Sequence, residues 1–128
     1  MAAPAWWGLG VAATTILLHV RDPHEEGSWG YCPWHALTGT YDPGDGGLRA
    51  VHHLTDGDVL AALSSNVVVV AAVLPVAVFL WLRWVWARWR DEPFRSRMFR
   101  PNVLAAWLVG LLAFAVVRNL EFASWLAP

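Results

Sequence analysis

The chain contains no lysine and a single cysteine, Cys32, and few of its residues carry charge. One cysteine excludes an internal disulfide and any metal site built from several thiolates. Without lysine, all nine basic residues are arginine, which fits a genome-wide arginine bias and identifies no partner. Charged residues make up 15% of the chain, against roughly 25% in an ordinary soluble domain. A net charge of −1 points to no acidic or basic partner.

What is there is apolar and unevenly placed. Apolar residues reach 57% and fall into three blocks, with nearly all charges between them. A membrane helix needs about 20 mostly apolar residues. The first block, 5–20, is slightly short and is stopped by Arg21-Asp22-Pro23. It has no basic residue ahead of it and no clear small-x-small site after it, so it reads as a retained helix and not a cleaved signal. The second block runs over 59–86 and the third over 103–125, provided that Arg118 and Glu121 pair at i and i+3 or Arg118 snorkels to the interface. The expected fold is therefore all-α and integral to a membrane. It has three spans in a single domain of 128 residues, an outer loop over 21–58 and an inner loop over 87–102.

Arginine placement sets the expected orientation. Arg83, Arg88, Arg90, Arg95, Arg97 and Arg100 cluster at the second connection. The first connection carries Arg21 and Arg49 against Asp22, Glu25, Glu26, Asp42, Asp45, Asp56 and Asp58. The basic loop should face the cytoplasm, with the N-terminus inside and the C-terminus outside. Tryptophans, ten in all, suit both interfaces: Trp6, Trp7, Trp84, Trp86 and Trp89 on the inner side, Trp29, Trp34 and Trp125 on the outer. Arginines interleaved with aromatics also occur in nucleic-acid patches. Beside a membrane helix they read as a topology signal near lipid headgroups, so no nucleic-acid partner is expected.

Local signals refine the spans. Asp58 after Gly57 reads as an N-cap. A helix from there could run unbroken through Asn66 for about 30 residues, on the order of 45 Å, with its first two turns above the bilayer core. Pro75 should kink it, and Pro101 suits the first turn of span three. Small residues four apart (Gly8 and Ala12, Gly10 and Thr14, Ala106 and Gly110) permit close helix approach.

The outer loop holds the candidate chemistry. Pro43-Gly44 is a strong turn signal, flanked by Asp42 and Asp45. Leu48 to Leu54 has the length of two helical turns and should lie along the membrane surface, with Arg49, His52 and His53 on one face. Two readings of this segment stay open. In one, Asp42, Asp45, His52 and His53 bind a divalent metal such as zinc, since imidazole and carboxylate suit such ions. Adjacent histidines, however, diverge by about 100° on a helix. In the other, the loop is merely polar, with an Asp45–Arg49 ion pair and aspartates that shape turns. Catalysis finds little support. Cys32 with His35 is a weak nucleophile–base candidate beside a proline, Ser64 and Ser65 lack a suitable context, and no span has an ionisable residue near its middle. The candidates His19, Arg118 and Glu121 lie near span ends. The chain is thus expected not to be an enzyme and to need no cofactor.

Together Cys32-Pro33, Leu37-Thr38-Gly39, Asp42-Pro43-Gly44-Asp45-Gly46, Leu48-Arg49-Ala50, Gly57-Asp58 and Asn66 form a string of motifs. In order and spacing the string resembles an uncharacterised bacterial membrane family, domain of unknown function 2752, over about residues 10–90. The resemblance implies a Cys-Pro-Gly-Cys-Gly turn where Asp42 and Asp45 stand here, a threonine where Leu48 stands, and a proline where Val67 follows Asn66. The family's three clustered cysteines look like a thiolate metal site or a redox pair. In this chain such a site has either become an oxygen site or been lost with the fold retained. The family has no assigned activity, so the resemblance supports architecture alone. The overall expectation is a small membrane protein in the bacterial cytoplasmic membrane. Its partners would be the lipid bilayer and either another membrane protein, to which it is an accessory subunit, or further copies of itself.

Overall fold

The computed structural model describes residues 2–23 and 32–126. Trp29, Glu25 and Glu26, expected in the outer loop, lie outside these residues. Among the described residues every regular element is helical. Helix α1 covers Ala2–Val20, α2 Pro33–Thr38, α3 Gly47–Thr55 and α4 Val59–Ser65. A π-helical segment, Val69–Val73, leads into α5, Leu74–Trp89. Helix α6 spans Pro101–Arg118 between 3₁₀ segments Arg97–Phe99 and Glu121–Leu126. Three stretches are long and apolar enough to cross a membrane: Ala3–Val20, Val69–Trp89 and Pro101–Arg118. The protein is an all-helical membrane protein with three such spans.

Local chemistry explains most helix ends. The Asp58 carboxylate accepts from the Ala61 backbone N–H at 2.9 Å, capping α4 as the sequence suggests. Gly57 supplies the φ of +79° that turns the chain between α3 and α4. Pro101 occupies the first turn of α6, where its missing N–H costs nothing.

The second span departs from expectation at Asn66. The helix begun at Val59 does not run unbroken into the membrane. Asn66 adopts φ −162° and ψ 97°, an extended conformation, and breaks it. Its Oδ1 accepts from the Val69 N–H at 3.0 Å, as an N-cap does, so the side chain starts the next helix while its backbone ends the last. Helix α4 then folds back against α3 instead of standing above the span. Pro75 is accommodated by the widened turn ahead of it. The Leu74 N–H reaches back five residues to the Val69 carbonyl, which makes room for a ring that would otherwise press on the preceding turn.

The spans touch each other little. Near its N-terminal end α1 meets α5 at Gly8, where an added Cβ would lie 3.0 Å from the Trp81 ring, and Trp81 donates its indole N–H to the Pro4 carbonyl at 3.3 Å. Gly10 and Gly110 face open space, so of these glycines only Gly8 serves close packing. Among the described residues no Cα of α6 comes within 8 Å of α1 or α5. It joins the rest at its C-terminal end, through contacts with the loop and through the packing of Glu121–Leu126 on α4.

Candidate functional site

The turn at Asp42–Asp45 is built from its own carboxylates. Asp42 Oδ1 accepts from the Gly44 N–H at 2.6 Å and the Asp45 N–H at 2.9 Å. Asp45 Oδ2 accepts in return from the Asp42 N–H at 2.8 Å. Each aspartate therefore satisfies the backbone of the other, as Asx turns do. The Cys32 thiol donates to Asp42 Oδ2 at 3.3 Å. Ligand-type atoms of Cys32, Asp42 and Asp45 all lie within 4.8 Å of one another. The positions where the resemblance implies two thiols thus meet the one thiol that this chain has.

Three distant side chains hold the turn and the residue before it. Arg118, at the end of α6 and 1% exposed, donates from Nη1 to the Asp42 carbonyl at 2.8 Å and the Asp45 carbonyl at 3.1 Å. Asn66, also 1% exposed, donates from Nδ2 to the Pro43 carbonyl at 2.9 Å and the Asp45 carbonyl at 3.0 Å. Asn119 grips Tyr41 at two points: Oδ1 accepts from the Tyr41 N–H at 2.8 Å, and Nδ2 donates to the Tyr41 carbonyl at 2.8 Å. The ring of His35 stacks on Tyr41 at a centroid distance of 4.8 Å. Gly46, at φ +79°, turns the chain from here into α3.

Two expectations for charged residues are corrected here. Arg118 neither snorkels outward nor pairs along one helix face with Glu121. Helix α6 ends at Arg118, and burial without solvent makes the turn's carbonyls the better partners for its guanidinium. Asp45 commits its carboxylate to the Asp42 N–H, in place of the expected ion pair with Arg49.

The thiol of Cys32 is pushed above its ordinary pKa. The His35 backbone N–H works against this, since it favours the thiolate. Hydrogen bonding to Asp45, partial burial, hydrogen bonding to Asp42 and the negative charge of Asp45 together outweigh it. The structure thus favours a protonated donor at Cys32, which is what the bond to Asp42 uses.

Not all the candidate metal ligands come together. Asp42 and Asp45 share the turn, and Cys32 joins them. His52 lies elsewhere: it is 8% exposed and turned to α1, where Nδ1 donates to the Leu18 carbonyl at 2.8 Å. His53 sits beside it, the two rings meeting edge to face at 6.1 Å. His52 instead neighbours Asp22 and Asp56, with His19 close by. The sequence reading did not connect Arg118, Asn66 or Asn119 with the turn. The one available signal was an arginine in an apolar helix, which calls for an inward partner.

An all-helical fold with three candidate spans and a locked turn at one end defines the class, a small membrane protein. Residues 32–81 match the model of a family described as "Protein of unknown function (DUF2752)". The resemblance thus holds over a shorter stretch than 10–90. It begins at Cys32, takes in the turn and Asn66, and ends within α5, leaving α1, α6 and Arg118 outside. No curated protein and no solved structure matches the chain.

Proposed function

We propose that the protein is a non-enzymatic accessory subunit of a larger membrane assembly. It would sit in the bacterial cytoplasmic membrane with its N-terminus inside and its C-terminus outside. The observation that carries this reading is the third span, whose backbone stands apart from the other two. Helices associate in a bilayer through close van der Waals packing of small-residue faces. In α6 that face is open: Ala106, Trp107, Gly110 and Leu111 line an apolar groove of about 530 Å³ that runs toward Val68. A second groove, of about 590 Å³, opens along α1 at Trp7, Gly10, Thr14 and Leu18. The locked turn supports the same reading, because it anchors α6 at one end and leaves its length available to another membrane helix.

Purification at native expression in mild detergent tests the proposal. The expected result is a complex with another membrane protein or a homo-oligomer. A monodisperse monomer without a partner overturns it. Reporter fusions at each terminus test the orientation, with the C-terminal fusion expected outside.

A second reading, a metal-binding membrane protein, draws on the convergence of Cys32, Asp42 and Asp45. Here the chemistry of the turn is unhelpful to a cation. The Asp42 oxygens already accept from two N–H groups and the thiol, and Asp45 Oδ2 accepts from a third N–H. An ion would displace the thiol proton and compete for carboxylate oxygens with the N–H groups that shape the turn. Elemental analysis of wild type beside Asp42→Ala/Asp45→Ala tests it: metal lost with the pair supports the reading, and no metal or an unchanged content removes it.

A further inference from the structure

The connection between the second and third spans holds a charge that the protein leaves unanswered. Residues 83–100 carry six arginines against two acids, Asp91 and Glu92. All six arginines are exposed. Among the described residues no ion pair or side-chain hydrogen bond engages any of these guanidiniums, and neither carboxylate is paired. Two of them have a ring instead. Arg90 Cζ lies 4.1 Å from the Trp86 ring centroid, and Arg83 Cζ lies 5.8 Å from it. The three residues fall at i, i+3 and i+7, on one face of α5. The helix stops directly after them. Asp91 takes a left-handed φ of +54°, and the Glu92 N–H returns to the Ala87 carbonyl at 2.9 Å. Arg90 is thereby fixed at the helix end.

We propose that Arg83, Trp86 and Arg90 form a binding site for the phosphodiester headgroup of an anionic phospholipid. A guanidinium lying over an indole uses its face. Its N–H donors lie in its plane and stay available for two phosphate oxygens at once. Depth favours a lipid as the source of that phosphate. Arg83 lies six residues before Trp89, the end of the candidate span, or about 9 Å along the helix. At that level a guanidinium borders hydrocarbon, where a missing counter-charge is costly. A lipid phosphate stands at this border, and a long side chain reaches it by snorkelling. A nucleic-acid backbone does not reach so far down a span. Trp86, Trp89 and Phe99 are exposed beside the arginines, as aromatic rings at headgroup level are. The excess of arginine over acid selects a net negative headgroup over a zwitterionic one, as basic segments next to a span do. The site uses no residue that lines either apolar groove, so it is independent of the accessory reading.

The test uses the full chain in mild detergent. Phosphatidylglycerol and phosphatidylcholine with the same acyl chains are titrated, and bound lipid is counted by native mass spectrometry. Phosphatidylglycerol is expected to bind the more tightly. Arg83→Gln/Arg90→Gln should weaken it by about 30-fold, the worth of two basic residues near an anionic surface. Arg95→Gln/Arg97→Gln should weaken it less, because those arginines lie outside α5 and stack on no ring among the described residues. Arg90→Lys keeps the charge but loses the planar fork, and should bind several-fold more weakly than wild type. Equal binding of the two lipids would overturn the proposal. So would equal losses in the two double variants, or wild-type binding by Arg90→Lys, since either result means a diffuse field without a site. Inorganic phosphate at the same concentration should leave the lipid bound, and its displacing the lipid would mean a site for the free anion. A single-stranded RNA oligonucleotide that binds more tightly than phosphatidylglycerol, and is lost in Arg83→Gln/Arg90→Gln, would reassign the face to nucleic acid.

Discussion

Arg118 Nη1 donates to the backbone carbonyl of Asp42 at 2.8 Å, joining the end of the third span to the tip of the loop across 76 residues. The guanidinium also stands 5.0 Å from the Phe114 ring centroid and 5.8 Å from that of Tyr41, so its charge is met by aromatic faces as well as carbonyls. Its Nε and Nη2 are buried without a hydrogen bond among the described residues. Arg118→Met should cost about 1–3 kcal/mol: two carbonyl contacts to a charged donor are lost, and the removal of two unsatisfied N–H groups offsets part of it. Thermal unfolding in detergent reads the loss. Limited proteolysis should show faster cutting within 41–47, and an unchanged cutting rate would show that the arginine does not hold the turn.

Asn66 links that turn to the second span, so Asn66→Ala removes a cap and two donors together. The expected loss is about 2–3 kcal/mol. Asn66→Asp should recover the cap, because a carboxylate still accepts from Val69, but not the bonds to Pro43 and Asp45. The carboxylate that replaces the amide would be buried against those two carbonyls, so at neutral pH Asn66→Asp should be no more stable than Asn66→Ala, and a stability near wild type would refute the division of roles.

Gly8 and Gly10 make a matched pair for testing helix approach. A Cβ at Gly8 meets the Trp81 ring at 3.0 Å, whereas one at Gly10 meets nothing within 4 Å. Gly8→Val should therefore destabilise the protein by about 1–3 kcal/mol through overpacking. Gly10→Val should lie within about 0.5 kcal/mol of wild type, as changes away from such features do. Thermal unfolding of the two variants side by side in detergent reads the difference, and equal losses would show that Gly8 does not serve close packing.

Cys32 should react slowly with maleimide at neutral pH, because the fold raises its pKa and keeps it protonated. The same shift contributes to stability with a definite sign. The protonated thiol is the favoured form, so the contribution is complete below the unfolded thiol's range and is lost as pH rises through the folded value. Stability curves of wild type and Cys32→Ser should run parallel at neutral pH and converge in the alkaline range. Asp42→Asn should speed labelling, since it removes one of the causes of the shift.

The legible parts of this protein share a physical trait: each depends on residues close in sequence. Asp58 and Ala61 are three residues apart, and Pro101 acts on its own turn. The three apolar runs declare themselves by composition alone. Asn66 was readable as part of a motif string but not as a helix break, because its amide is drawn to carbonyls 21 and 23 residues away. Of the metal ligands expected from the loop, Asp42 and Asp45 stay together because they build one turn. His52 parts from them because its face of α3 packs on α1, and the Leu18 carbonyl it meets is 34 residues away.

The sequence by itself determined that the chain is helical, that three stretches suit a membrane, and that a tight acidic turn lies between the first two. Hydropathy, turn chemistry and capping act within a few residues, so they survive without knowledge of the fold. Only the tertiary structure decided which side chains hold that turn and which surround His52. Those are choices among distant partners. They are made by burial, because a buried guanidinium, amide or imidazole must find a hydrogen-bonding group wherever packing brings one.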